Sequence, residues 1–245
     1  MTNPDCIIFK YQGKFAHFLR AEANASAPSY PFPPRTVLMG LVGAVLGFPK
    51  DESQTLLQEA RLTVSGEAAT THWHTANLRK DPPAPLPFRV KKNDKGSSKA
   101  QRNTQIAQEW LFKPDFTVYA GLPIKFHNEF RQRLQSRAWH FSPCLGLSEM
   151  GANLEYLDCL PISPLPPGIH EISTPALKNE IELDRDALFK TRGFSLGIKS
   201  IRMPRSLTPD RIFSHADYLY ALANAPLPLK TRTAAKIGEA IVQWL

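Results

Sequence analysis

The 245-residue chain is 42% hydrophobic, enough to bury one large core or two small ones, which excludes a disordered or fibrous protein. Thirty Lys and Arg against 22 Asp and Glu leave a net charge of +8, which favours an anionic partner such as nucleic acid or an acidic surface. Three well-separated cysteines, Cys6, Cys144 and Cys159, form no C-x-x-C pair, so neither a disulfide framework nor a thiolate zinc site is expected; a reduced, cytoplasmic setting fits, and the first residues lack the basic segment and apolar run of a signal peptide.

Cys6-Ile-Ile-Phe-Lys-Tyr reads as a strand that bends at Gly13 and continues, with imperfect alternation, through Lys14 to Arg20. Prolines 28 to 34 mark a turn. Thr36 to Phe48 follows as a helix that ends near Pro49, and Asp51 to Glu59 as a further short one. Arg61 to Ser65 and Ala68 to Ala76 read as two strands, the second carrying His72, Trp73 and His74. From Arg79 to Arg102 the periodicity vanishes, and eight basic residues stand against two acidic ones, a net of +6. Flanked by Trp110-Leu-Phe-Lys and the strand-like Asp115 to Ala120, this is a long basic insertion, at about residues 77–112, projecting between two strands. Pro123 to Trp139 is a helix with Phe126, Phe130 and Leu134 on its apolar stripe. Phe141 to Gly151 reads as a loop and Asn153 to Leu160 as a strand.

The order β-α-β-β-α-β predicts an α+β fold over residues 1–160 on the ferredoxin-like or RRM-like plan, an antiparallel sheet with two helices on one face. Residues 161–245 read as a smaller, β-rich C-terminal extension whose topology the pattern does not assign.

Ser29-Tyr-Pro-Phe-Pro-Pro-Arg-Thr running into a glycine-rich apolar stretch admits three readings. A membrane span is excluded by length, because Val37 to Phe48 gives twelve residues where about 20 are needed. A P-loop is excluded by the lack of G-x-x-x-x-G-K-[ST]. Gly40, Gly43 and Gly47 fit a buried helix that approaches the sheet or a neighbouring backbone closely, and each costs about 1 kcal/mol against Ala. The helix N-terminus, with its unpaired N–H groups beside Arg35 and Thr36, is a place for a phosphate.

Phe15-Ala-His-Phe-Leu-Arg20, the Ser29 to Thr36 turn and the Gly40 to Gly47 helix together resemble the amino-terminal signature of family five of the CRISPR-associated proteins. Pro143-Cys-Leu-Gly-Leu-Ser-Glu149 resembles that family's loop after the second helix. The resemblance implies the RNA-binding subunit of a type I Cascade surveillance complex in antiviral defence. Such a subunit caps the 5′ handle of the CRISPR RNA, touches the adjacent backbone subunit and the large subunit, and reaches target DNA only through the complex. The insertion would be the family's thumb, with Arg89, Lys91, Lys92, Lys95, Lys99 and Arg102 against the RNA. Arg20, Arg35 and Thr36 are expected at handle phosphates, Tyr30, Trp73, Phe88 and Trp110 as stacking rings, and the Gly146 to Ser148 backbone along the same groove.

One branch of the family, in type I-C systems, is itself a metal-independent endoribonuclease. Such cleavage needs a base, an acid and a cation, commonly Tyr, His and Lys. Lys125-Phe126-His127, His17 and Tyr119 are the residues that would serve here. A general single-stranded RNA-binding protein is the third reading. His72-x-His74 places two imidazoles on one strand face, without a third ligand at metal spacing, so it reads as a polar sheet face near RNA. No metal or other cofactor is expected.

Overall fold

A computed structural model describes residues 4–23, 26–49, 52–79, 103–184, 197–208 and 210–245. It is a mixed α/β fold, mostly strands with few helices. The leading elements are β1 (Asp5–Gly13), β2 (Phe15–Ala16), β3 (Ser26–Ala27), α1 (Arg35–Leu46), α2 (Ser53–Leu56), β4 (Arg61–Arg79), β5 (Asn103–Gly121), α3 (Ile124–Ser136) and β6 (Ala152–Pro161). The long strands lie side by side in the order β4, β5, β1, β6, and every neighbouring pair is antiparallel. Short β2 and β3 add to the outer half of β5.

β1 is covered on both faces, which is why Cys6 to Phe9 is apolar without alternation. Ile7, Phe9 and Tyr11 face the helices in the main core, with Leu38, Val42 and Val45 of α1 and Phe130 and Leu134 of α3. Cys6 and Ile8 face the other way, with Tyr119, into a smaller core. Each fully buried Leu or Val of α1 stabilises by about 1.5–3 kcal/mol, more than the roughly 1 kcal/mol that a helical glycine costs.

The glycines of α1 divide the work differently from the expectation. Gly40 is exposed, and a Cβ there would meet nothing within 4 Å, so close packing does not explain it. Gly43 does pack closely, but against the Ser53 side chain of α2 rather than the sheet. Gly47, at φ +84°, is the left-handed C-cap, and its N–H donates to the Gly43 carbonyl at 2.8 Å.

The two strands expected at residues 61–65 and 68–76 are one, because Gly66 at φ +104° lets the chain run on beside the Asp115 carbonyl, which a Cβ would strike. β5 likewise begins twelve residues before Asp115 and takes in Trp110 to Lys113, read from sequence as the flank of the insertion. Residues 70–79 and 103–112 therefore form a paired, two-stranded arm that leads to and from residues 80–102. The third helix stops three residues short of Trp139, where Arg137 turns to φ +53°.

The remaining strands are β7 (Ser163–Pro164), β8 (Gly168–Ile172), β9 (Ala176–Leu177), β10 (Ile181–Leu183), β11 (Ile198–Leu207), β12 (Phe213–Ala221), β13 (Leu227–Thr231), β14 (Ala235–Ile237) and β15 (Ala240–Val242). They make three three-stranded sheets: β10-β13-β8, β11-β12-β9 and β15-β14-β7. Leu177, Met203, Tyr218 and Leu245 enter the main core on the helix side. Ala235, Ile237 and Val242 close the smaller core on the opposite side. Among the described residues no helix is long and apolar enough to cross a membrane.

Candidate nucleic-acid interface

On the arm, antiparallel register puts His72 opposite Trp110 and His74 opposite Gln108, so these side chains share one face with Thr70 and Phe112. β2 adds Phe15 opposite Phe112. The rings form a continuous row: His74 lies 4.1 Å from Trp110, Trp110 5.3 Å from Phe15, Phe15 5.6 Å from Phe112, and Phe112 5.5 Å from His72, centroid to centroid. Lys14 and Lys113 lie over Phe15 and Phe112 at 5.5 and 5.4 Å. His72 and His74 are exposed, while Trp110, Phe112 and Phe15 are half-buried, so each ring is held from behind and open in front. The row combines stacking faces with cations, the two features that bind a single-stranded nucleic acid.

Of the residues singled out from sequence, Trp110 stands in this row. Trp73 is 58% exposed but points from the opposite face of the arm, opposite Glu109. Phe15, Phe112, Lys14 and Lys113 were missed. The period-two pattern signals only Phe112, which alternates with Trp110 as His74 does with His72; Phe15, Lys14 and Lys113 join the row only through pairing and packing. Phe88, Arg89, Lys91, Lys92, Lys95, Lys99 and Arg102 lie outside the described residues.

The turn before α1 is occupied with the protein itself. Tyr30 is 1% exposed, its hydroxyl accepting the Ala21 N–H at 3.3 Å, so its ring offers no face to a base. Arg20 is half-buried above that ring and donates from Nε to the Ser29 carbonyl at 2.8 Å. Arg35 is 8% exposed, and its terminal nitrogens donate to the carbonyls of Gln58, Ala60 and Arg205. Burial, then the neighbouring Arg205, lower its pKa, yet an arginine stays charged. The expected phosphate ligand is thus an internal tie, because three backbone carbonyls take its donors from inside. Thr36 is half-buried, and its carbonyl accepts the Gln54 amide at 3.0 Å.

The loop after α3 lies against the residues before that turn. Gly146, at φ +95°, sits where a Cβ would collide with the His17 carbonyl, and the His17 N–H donates to the Leu145 carbonyl at 3.0 Å. Ser148 is exposed and donates to Glu149 at 3.2 Å.

The groups expected for RNA cleavage are not brought together. Tyr119 is 8% exposed and pairs with Ile8 on the face closed by β14 and β15. Burial raises its pKa. His127 is buried on the helix side, with Nε2 3.6 Å from the Sγ of Cys159, the residue that pairs with Ile7. Tyr119 and His127 therefore lie on opposite faces of the sheet. Burial lowers the His127 pKa and raises that of the Cys159 thiol, so the pair is neutral at pH 7. His17 is 2% exposed, and its Nδ1 donates to the Glu109 carbonyl at 2.8 Å. Lys125 is exposed over the Phe126 ring.

Known proteins bear on this arrangement in two ways. No curated protein sequence matches the chain. The chain resembles a solved structure titled "CRISPR RNA-guided surveillance complex" at 15% identity and a TM-score of 0.54, with 91% of each chain covered. It also resembles a CRISPR protein from Archaeoglobus fulgidus at 13% identity and a TM-score of 0.52, with 97% of each covered. At such identities the likeness is one of fold. Sequence supplies the rest: residues 6–182 match the family model described as "CRISPR-associated protein (Cas_Cas5)", and since that is most of the chain, it belongs to the Cas5 family of CRISPR-associated proteins.

Proposed function

We propose that the chain is a non-catalytic RNA-binding subunit of a type I Cascade complex, which holds and caps the 5′ handle of a CRISPR RNA. The row of rings from Phe15 to His74, with Lys14 and Lys113 beside it, carries this reading. Splayed bases stack on aromatic faces while lysines meet the phosphates between them, and a two-stranded arm presents both along one line. The arm runs towards residues 80–102, whose basic excess is read as the thumb that follows the RNA and meets the adjacent backbone subunit. The large subunit is a further neighbour, target DNA is reached only through the complex, and the setting is cytoplasmic. In this reading residues 1–160 are a ferredoxin-like, RRM-like RNA-binding unit and residues 161–245 its extension; the strand order β4, β5, β1, β6, with α1 and α3 on one face, supports it.

The test is incubation of the purified chain with a repeat-bearing precursor RNA in EDTA. The expected result is tight binding that prefers the handle to unrelated single strands of equal length and leaves the RNA intact. Specific cleavage that disappears in a His127→Ala or His17→Ala variant with unchanged melting temperature makes the protein an endoribonuclease instead. Equal affinity for unrelated strands makes it a general single-strand binder.

A further inference from the structure

A cleft of about 330 Å³ opens between the base of the arm and the strands that follow residue 161. It opens on the face of the arm opposite the stacking row, the face that carries Trp73 and Glu109, so a base of an RNA lying along the row reaches it past the edge of the arm. Phe32 and Tyr220, 5.2 Å apart and edge to face, supply its aromatic surface. Its charges balance, with Arg20 and Lys199 against Glu67 and Glu109. A free phosphate would meet two carboxylates there, so the lining favours a neutral ligand that both donates and accepts hydrogen bonds. The volume lies at the lower end of the roughly 300–1,000 Å³ of small-molecule sites, which suits one planar base rather than a coenzyme.

The free hydrogen-bonding groups narrow the choice. One Glu109 oxygen accepts the Ser29 N–H at 2.9 Å, leaving the other, and Glu67 is exposed at the mouth. Arg20 uses Nε on the Ser29 carbonyl, leaving the end of its guanidinium, and Lys199, also in the lining, is exposed. Carboxylate acceptors and cationic donors in one site match guanine, whose N1–H and N2 amine donate side by side while O6 and N7 accept from Arg or Lys. Adenine and cytosine offer a single exocyclic donor, and uracil offers no amine.

We infer that this cleft takes one extruded guanine base of the bound RNA, through the carboxylates of Glu67 and Glu109 and the cations of Arg20 and Lys199. The inference rests on the RNA-binding reading above and adds a sequence-reading site to it. The full-length chain is titrated with ten-residue uridine RNAs carrying one central guanosine, inosine, adenosine or cytidine. Guanosine is expected to bind about tenfold or more tighter than adenosine or cytidine. Inosine, which lacks the N2 amine, falls between. Glu67→Gln, a surface change that leaves folding intact, and Glu109→Gln each erase the preference for guanosine over inosine while the all-uridine affinity stays as in wild type. Equal affinity across the four RNAs, or a guanosine preference that survives both substitutions, overturns the cleft assignment and leaves the RNA-binding reading standing. Failure to bind any of them, the repeat-bearing RNA included, overturns both.

Discussion

Arg35 holds three backbone segments at once. Its Nη2 donates to Gln58 and Ala60 at 2.7 and 3.0 Å, just ahead of β4, and its Nη1 to Arg205 of β11 at 3.2 Å. Hydrogen bonds to a charged group contribute about 1.5–3 kcal/mol each, and they depend on the planar fork that only arginine has. In Arg35→Lys one ammonium cannot reach all three carbonyls. A loss of about 2 kcal/mol follows, which lowers the melting temperature by about 4–8 °C in a chain of this size. Handle affinity, measured well below the transition, stays at the wild-type value, because the side chain is turned inward. A variant that melts normally but binds RNA weakly would return Arg35 to the phosphate role that its place at a helix N-terminus suggests. The helix N-terminus that suggests that role is visible in the sequence, whereas the three carbonyls are not, since they come from segments 23, 25 and 170 residues away.

At the scale of elements, the arm formed by the outer halves of β4 and β5 is the feature on which the proposed binding turns. Stacking of a base on an aromatic ring is worth about 1–3 kcal/mol by alanine substitution. Trp110→Ala is therefore expected to weaken handle binding by roughly tenfold to a hundredfold, and Trp73→Ala, on the other face, to leave it near wild type. Equal losses in both variants would show that RNA does not choose the Phe15 face. Removing Lys14 and Lys113 together should reduce the slope of log affinity against log salt by about 1.4, two single-strand phosphate contacts. The sequence reads as strands on either side of a basic stretch, residues 79–102. It did not show that the strands run so far outward. Gly66, between the two strands expected from sequence, and Lys113 both take positive φ yet are passed without loss of register, because cross-strand pairing overrides local preference. The same override set the boundary of the stacking row, since face and register are fixed only once β4 and β5 pair.

At the scale of the whole molecule, the segment after residue 161 is woven into the first 160 residues rather than set beside them. Leu177, Met203, Tyr218 and Leu245 share a core with Ile7, Phe9 and α1, while Ala235, Ile237 and Val242 cover the other side of β1. The Leu245 N–H donates to the Leu62 carbonyl at 3.0 Å, and the Ile162 N–H to Pro4 at 2.8 Å. Short strands with Pro-rich connections concealed this, because their burial depends on surfaces that the first 160 residues supply. Two segments that each complete the other's core should unfold together. We expect one calorimetric transition, with equal calorimetric and van't Hoff enthalpies, even though the sequence reads as a unit of about 160 residues followed by an extension. Leu245→Ala sharpens the test. Removing a buried leucine costs about 2–5 kcal/mol, which should move the single transition down by roughly 4–20 °C as a whole. If the curve instead splits, with one part staying at the wild-type temperature, the first 160 residues hold their fold without the segment that follows, and the shared core contributes little to them.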